Sequence, residues 1–227
     1  FQTIVLVSII PALLAVLVLA LFAREVVQKP NTSAPTLRLA GMDNRFKLFL
    51  LAAVLFTLGN SSDAFIILRG QERGLNVLQV MGMLLTFNAV YTVLSGPLGA
   101  LSDKIGRRKL ILGGWLAYGL VYLGLAASQT GAQVWVLFGL YGAYYAATEG
   151  TAKAYVADLV PAERRGTAYG LYNAALALTA FPASLIAGIL WQGIGSWSGF
   201  GPSAPFVFGA GMALGASAIF YQVKSDK

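Results

Sequence analysis

The sequence contains no cysteine and no histidine. Without cysteine there is no disulfide framework, no thiolate metal site and no thiol nucleophile. Without histidine the commonest general base and proton shuttle is missing. Charge is scarce too: 11% of the 227 residues are Asp, Glu, Lys or Arg, against about 25% in an ordinary soluble domain. So few charges cannot dress a water-facing surface, and the composition points to a membrane protein. A phosphate-binding loop is also absent. Gly209, Gly211 and Gly215 lie in an apolar run with no strand before them and no acidic partner after, so they read as small-residue helix packing. ATP is not expected to power the protein from this chain, and neither a cofactor nor a metal is expected.

What the chain has in abundance is apolar length. It is 57% hydrophobic, with a mean hydropathy of +0.71. A helix needs roughly 20 mostly apolar residues to cross a bilayer. Seven runs qualify: residues 1–22, 48–68, 77–101, 110–127, 134–157, 167–191 and 206–223. The first is too long and too uniformly apolar for a signal peptide, so it reads as a spanning helix of a longer protein, of which this chain is expected to be a fragment. Pro182 is an expected kink in the sixth run. Residues 24–47 form a polar linker with five cations, and 224–227 a polar tail.

The net charge is +7. In a soluble protein that would suggest nucleic acid, but here the cations sit in alternate loops. With the linker on the cytoplasmic side, thirteen of the sixteen cations share that side. Arg69 and Arg73 face the other way, and Lys153 lies within a run. This is the positive-inside pattern, and no nucleic-acid partner is expected. Trp191 and Trp197 flank the outer end of the sixth run, where indole rings favour the interface. The expected location is a bacterial inner (plasma) membrane, multi-pass, with linker and C-terminus cytoplasmic.

One loop carries more than topology. Gly99-Ala100-Leu101-Ser102-Asp103-Lys104-Ile105-Gly106-Arg107-Arg108-Lys109 joins two spans and resembles the signature loop of the major facilitator superfamily of secondary transporters. The later segment from Ala157 to Gly166, with Asp158-Leu159-Val160-Pro161 and Arg165, resembles that family's second cytoplasmic motif. The order also resembles the family: one helix, a basic linker and six helices, as in the back half of a twelve-helix transporter. The resemblance implies an all-α membrane protein. Its organisation would be a transmembrane helix (1–23), a cytoplasmic linker (24–47), a six-helix half-bundle of 3+3 inverted repeats (48–223) and a cytoplasmic tail (224–227). It implies a secondary active transporter of a small solute, driven by an ion gradient or by the solute's own gradient and working by rocker-switch alternating access, with proton-coupled efflux of a drug or metabolite as one form. The implied partners are the solute, H+, membrane lipid and the N-terminal half of the same transporter. The alternative is a non-transporting membrane-embedded sensor or scaffold. An enzyme is not expected, because the polar groups within the runs are spread over several helices.

The loop residues have readable chemistry. Gly99 would let helices approach closely. Asp103 ends its helix and could face a neighbouring helix N-terminus, for which the helix beginning near Thr167 is a candidate. Gly106 permits the turn. Arg107 can reach Asp103 or Asp158, while Arg108 and Lys109 can meet lipid phosphates. With Asp158 and Arg165 these form a candidate cytoplasmic gate, which by resemblance latches the outward-open state. The plainer reading is that the cations are topology anchors only.

Charges inside runs are costly in a membrane and point to function. Glu149 and Lys153 are spaced i,i+4 and could neutralise one another. Alternatively Glu149 binds a proton or substrate, on a stripe with Tyr141 and Tyr145. Asn60-Ser61-Ser62-Asp63 interrupts the second run and could line a water-filled cavity with the helix locally loosened. The alternative places Asp63 at the outer interface. Asn88 reads as interhelical glue or as a ligand, and Tyr169, Tyr172 and Asn173 as packing. Aromatic, hydroxylic and acidic candidates fit a lipophilic or cationic solute better than an anion.

Overall fold

In the computed structural model the described residues are 2–22 and 39–223, with side chains described at 9–10, 13–22 and 39–223. The expected linker cations Arg24, Lys29 and Arg38 and the tail 224–227 lie outside them. The chain divides into two compact units, residues 1–35 and 36–227. The first holds α1, Gln2–Phe22. Its 21 residues rise roughly 31 Å, about one bilayer core.

The second unit is helical among the described residues. Its helices are α2 (Asn44–Gly59), α3 (Ala64–Glu72), α4 (Val77–Ile105), α5 (Arg107–Ala127), α6 (Gly131–Asp158), α7 (Arg165–Gln192) and α8 (Ala204–Tyr221), with a 3-10 turn at Ala162–Arg164. The starts are chemically marked. Asp43 accepts the Arg45 backbone N–H at the head of α2. Asn76 with Gln79, and Thr130 with Gln133, form reciprocal capping boxes at the heads of α4 and α6, each satisfying otherwise orphaned backbone donors. Gly106 sits at φ +95° between α4 and α5, a conformation a side chain would strain. This is the glycine expected at the turn. α7 runs unbroken through Pro182.

Among the described residues five stretches are long and apolar enough to cross a membrane: Asn44–Glu72, Val77–Ile105, Arg107–Ala127, Ala162–Gln192 and Ala204–Tyr221. The expected second run is therefore a helix pair rather than one rod. α6 has the length, 28 residues, but its tyrosines, glycines and charges lower its hydropathy. It tolerates them because neighbours cover it: it packs on α3, α4, α5 and α7, and thirteen of its residues are buried.

The remaining contacts follow a pattern. α2 packs on α7 and α8, α5 on α8, α4 on α5, and α7 on α8. Exchange α2, α4, α5 in order for α6, α7, α8, and α2–α8 becomes α6–α5, α2–α7 becomes α6–α4, and α4–α5 becomes α7–α8. Each of these pairs is itself packed. The core between them is aromatic. Phe56 stacks on Trp115 at 4.7 Å, and Phe49 meets Tyr155 and Phe220, each at 5.0 Å. α2 and α8 cross at glycines: a Cβ on Gly209 would lie 2.5 Å from the Gly59 carbonyl oxygen. Gly209 is the packing glycine expected from sequence, while a Cβ on Gly211 would meet nothing within 4 Å.

Candidate functional site: a polar cleft and a charge cluster

The loops meet at two opposite ends. At one end, Arg107 at the head of α5 donates to the Ala154 carbonyl (2.9 Å), to Asp158 (2.7 Å) and to Asp103 (3.3 Å). Arg164 donates to the Gly41 carbonyl at 2.5 Å. The basic loops expected to share a face are therefore brought together, and Arg107 reaches both proposed carboxylates at once. Around it lies a pocket of about 300 Å3 between α4 and α6, lined by Tyr91, Ser95, Asp103, Arg107 and Thr151 among others.

Several expectations for this cluster change. Asp103 pairs with Arg107, and α4 packs chiefly on α6 and α5, not on α7. Gly99 makes no close helix approach: a Cβ there would meet nothing within 4 Å. Arg108 is not left for lipid. Its guanidinium donates to the Tyr221 carbonyl at the end of α8 and lies 5.4 Å from the Tyr221 ring, so it caps a helix C-terminus, where a cation is favoured. Lys109 is exposed. Arg165 opens α7 exposed and without an ion pair among the described residues, and its neighbour Arg164 makes the loop contact instead.

The middle of the bundle holds a polar cleft. One part, about 240 Å3, is lined by Thr57, Asn60, Tyr145, Glu149, Lys153 and Asn173, with Phe56, Trp115, Tyr144 and Tyr172 as its aromatic wall. An adjoining part, about 500 Å3, shares Thr57, Asn60, Tyr145 and Leu176 and adds Ser61, Ser62, Asp63 and Ser184. The cleft therefore runs between α2, α6 and α7 and reaches the α2–α3 break. Tyr172 and Asn173, expected as packing, line it.

Its two carboxylates have different surroundings. Glu149 accepts from Lys153 at 3.2 Å and from the Tyr91 hydroxyl on α4 at 2.7 Å. Glu149 forms the i,i+4 pair with Lys153 and also lines the cleft. Lys153 lines the cleft beside it. Asp63 has no cation beside it along the adjoining part of the cleft. It is the N-cap residue of α3 and makes no side-chain cap bond. Its Oδ1 lies 2.9 Å from the Tyr141 hydroxyl, which also lies 3.1 Å from Asn60 Oδ1. The expected loosening at Asn60–Asp63 is a full break between α2 and α3, with Ser62 N–H donating to Ser184 Oγ on α7 at 3.3 Å. Tyr141 itself is fully buried, so of the expected stripe Tyr145 and Glu149 line the cleft while Tyr141 reaches behind it. Asn88 is exposed and donates to the Leu84 carbonyl of its own helix at 2.8 Å. It glues nothing together among the described residues.

Two residues escaped the sequence reading. Tyr91 becomes a partner of Glu149 only through the packing of α4 on α6, which no local pattern marks. Arg69, expected as an outer-loop cation, is 1% exposed. It donates to the Leu125, Ala126 and Ser128 carbonyls at 3.1, 2.9 and 3.2 Å, to the Ser128 and Ser203 hydroxyls at 3.3 and 3.2 Å, and to Glu72 at 2.8 Å. It ties α3, the end of α5 and the head of α8 together at the end opposite the Arg107 cluster.

Comparison with known proteins gives a consistent answer. The family profile described as Major Facilitator Superfamily matches residues 48–227. An uncharacterized MFS-type transporter of Methanocaldococcus jannaschii is 38% identical over 193 residues, covering 82% of this chain and 47% of that protein. Two tetracycline resistance proteins of Escherichia coli are also similar. Class E is 35% identical over 60% of this chain and 32% of its own length, and class C is 31% identical over 48% and 28%. The chain thus spans less than half the length of each of these relatives. No solved structure matches.

Proposed function

The chain belongs to the major facilitator superfamily, and from that membership we propose that it is the C-terminal half of a secondary active transporter that exports a small solute. The observation that carries this reading is the polar cleft between α2, α6 and α7, holding Glu149, Asp63, Asn60 and Tyr145 beside a largely aromatic and aliphatic core. Polar groups at membrane depth are costly unless they line a water-filled path. The exchange symmetry of the helix contacts supports a 3+3 repeat, the arrangement in which rocking of one half against another alternates access.

The cleft has one wall here, and a second half-bundle is its natural complement. α4 and α7 are the least covered of the long helices, with Leu85, Val93, Leu178 and Phe181 exposed, so they are the surfaces that such a half and lipid would share. The Arg107 cluster lies on the cytoplasmic side by its cations, and Arg107 there holds α6 to α4 and α5 as a gate latch. Glu149 and Lys153 cancel, leaving Asp63 as the unbalanced charge of the cleft. A neutral or cationic lipophilic solute fits that balance. Either carboxylate can carry the coupling proton. The resistance proteins among the relatives make tetracycline the first probe.

The test uses the full-length transporter in cells and in liposomes. Expression is expected to lower tetracycline accumulation in cells and to support counterflow of a lipophilic cation in liposomes, and Asp103→Ala is expected to reduce that transport severalfold while membrane insertion is unchanged. Absence of counterflow with every lipophilic probe would overturn the transporter reading. Undiminished transport in Asp103→Ala would overturn the latch.

A further inference from the structure

We propose, resting on the transporter reading, that Asp63 is the proton-binding carboxylate of the cleft and that Tyr141 relays its charge state to the end of α2. The geometry is a three-oxygen cluster with one phenolic hydrogen. Tyr141 Oη lies within hydrogen-bond distance of Asn60 Oδ1 and Asp63 Oδ1, and a phenol has a single hydrogen to give.

The two acceptors stand on opposite sides of the helix break. Asn60 closes α2, its backbone N–H bonded to the Phe56 and Thr57 carbonyls. Asp63 opens α3, its carbonyl accepting from Ile66 and Ile67. When Asp63 is ionised the Tyr141 hydrogen goes to the carboxylate, because charge-assisted bonds are the stronger ones. The Asn60 amide then turns its NH2 toward Oη. When Asp63 takes a proton from cleft water, its own O–H donates to Oη and the Tyr141 hydrogen is freed for Asn60 Oδ1. Protonation forms one O–H bond on Asp63 as one breaks in a hydronium of the cleft water, deprotonation reverses it, and no other covalent bond is made or broken. The result is that the bond from α6 to the head of α3 changes from charge-assisted to neutral, while the tail of α2 changes from donating to Oη to accepting from it.

The surroundings choose Asp63 over Glu149. Glu149 already has Lys153 and Tyr91. The groups facing Asp63 are Tyr141 and Tyr145 from α6, Tyr118 and Tyr122 from α5, Ser61 and Ser62 from the break, and Ser184 from α7. None of them is a cation, and the proton is the counter-charge left open. The Arg69 network also fixes α3 to α5 and α8, so the end of α2 is the side free to respond. Tyr118 donates to the Gly59 carbonyl at 2.9 Å and gives that end a second anchor to work against.

The experiment is an acid-to-neutral infrared titration of the full-length transporter in lipid nanodiscs, with no solute added. A protonated-carboxyl C=O band is expected to grow on acidification, to be absent in Asp63→Asn, to return in Asp63→Glu, and to shift in Tyr141→Phe. In a cysteine-free background, Ser62→Cys placed at the exposed break is expected to react with a membrane-impermeant maleimide at a rate that changes severalfold with pH. That rate becomes pH-independent when Asp63→Asn or Tyr141→Phe is added. A band that survives Asp63→Asn and vanishes in Glu149→Gln moves the proton to Glu149 and overturns the assignment. A Tyr141→Phe protein whose labelling still follows pH overturns the relay. Because neither measurement uses a solute, these failures are distinct from a failure of transport.

Discussion

Removing the Arg69 guanidinium is the sharpest test of what holds this half-bundle together. The side chain is fully enclosed, and its six contacts reach three helices. In Arg69→Leu not every acceptor is orphaned. The Leu125 carbonyl keeps the Ser128 hydroxyl at 2.7 Å, and the Ala126 carbonyl keeps the Ser203 hydroxyl at 2.7 Å. The Glu72 side chain is 36% exposed and can turn to water. The Ser128 carbonyl loses its Arg69 donor outright, and the ties between α3, α5 and α8 are cut. Leaving one buried acceptor unsatisfied costs about 1–3 kcal/mol, and breaking a buried charge network typically costs about 3–5 kcal/mol in all. In a full-length protein about twice this chain's length the size scaling gives about 1–2 °C per kcal/mol, so the melting temperature should fall by on the order of 5 °C. The assay is thermal unfolding of the full-length protein in detergent, followed by intrinsic tryptophan fluorescence. Arg69→Lys, with three donors in place of five, should fall between wild type and Arg69→Leu. The exposed Lys104→Ala should stay within about 0.5 kcal/mol of wild type. A change in Tm below about 2 °C for Arg69→Leu would refute the reasoning, because it would mean the network contributes nothing beyond its own desolvation cost.

Two further outcomes follow from local geometry. Asp43→Ala removes the α2 N-cap and should cost about 1 kcal/mol. The Arg45 backbone N–H, helped by its guanidinium, holds the Asp43 carboxyl below its ordinary value. The cap's contribution is therefore present above about pH 4, is lost as pH falls through the lower folded-state value, and is reduced by the residue's exposure. Equal acid sensitivity of wild type and Asp43→Ala in a pH series of melting curves would count against it. Gly209→Ala puts a Cβ into the Gly59 carbonyl and the Tyr122 ring and should destabilise by about 1–3 kcal/mol, whereas Gly211→Ala, with open space around it, should be neutral. Equal stability of the two variants would show that α2 and α8 do not cross where the structure puts them.

The chain itself dictated its class and its family. Hydropathy and loop charge are local properties, so 11% charge, long apolar runs and cations in alternate loops could be read without any tertiary contact. The Gly106 turn was legible for the same reason: a positive φ at that position asks for glycine whatever surrounds it. The pairing of Arg107 with Asp103 and Asp158 was half legible, since the four-residue spacing to Asp103 is local and the fifty-one-residue step to Asp158 rests on the family pattern.

Partners across helices were decided only by packing. Nothing near Tyr91 marks it for Glu149, nothing near Arg69 marks it for burial among the carbonyls of α5, and nothing near Arg108 marks it for the end of α8. Sequence reading sent Arg69 and Arg108 to the surface because a cation in a loop ordinarily goes there. The structure keeps them because helix ends leave carbonyls without donors, and a guanidinium can satisfy several at once. Likewise, four polar residues in an apolar run announced trouble for a continuous helix. Only the fold set the hydroxyl of Tyr141 between Asn60 and Asp63, where the break becomes a place for chemistry.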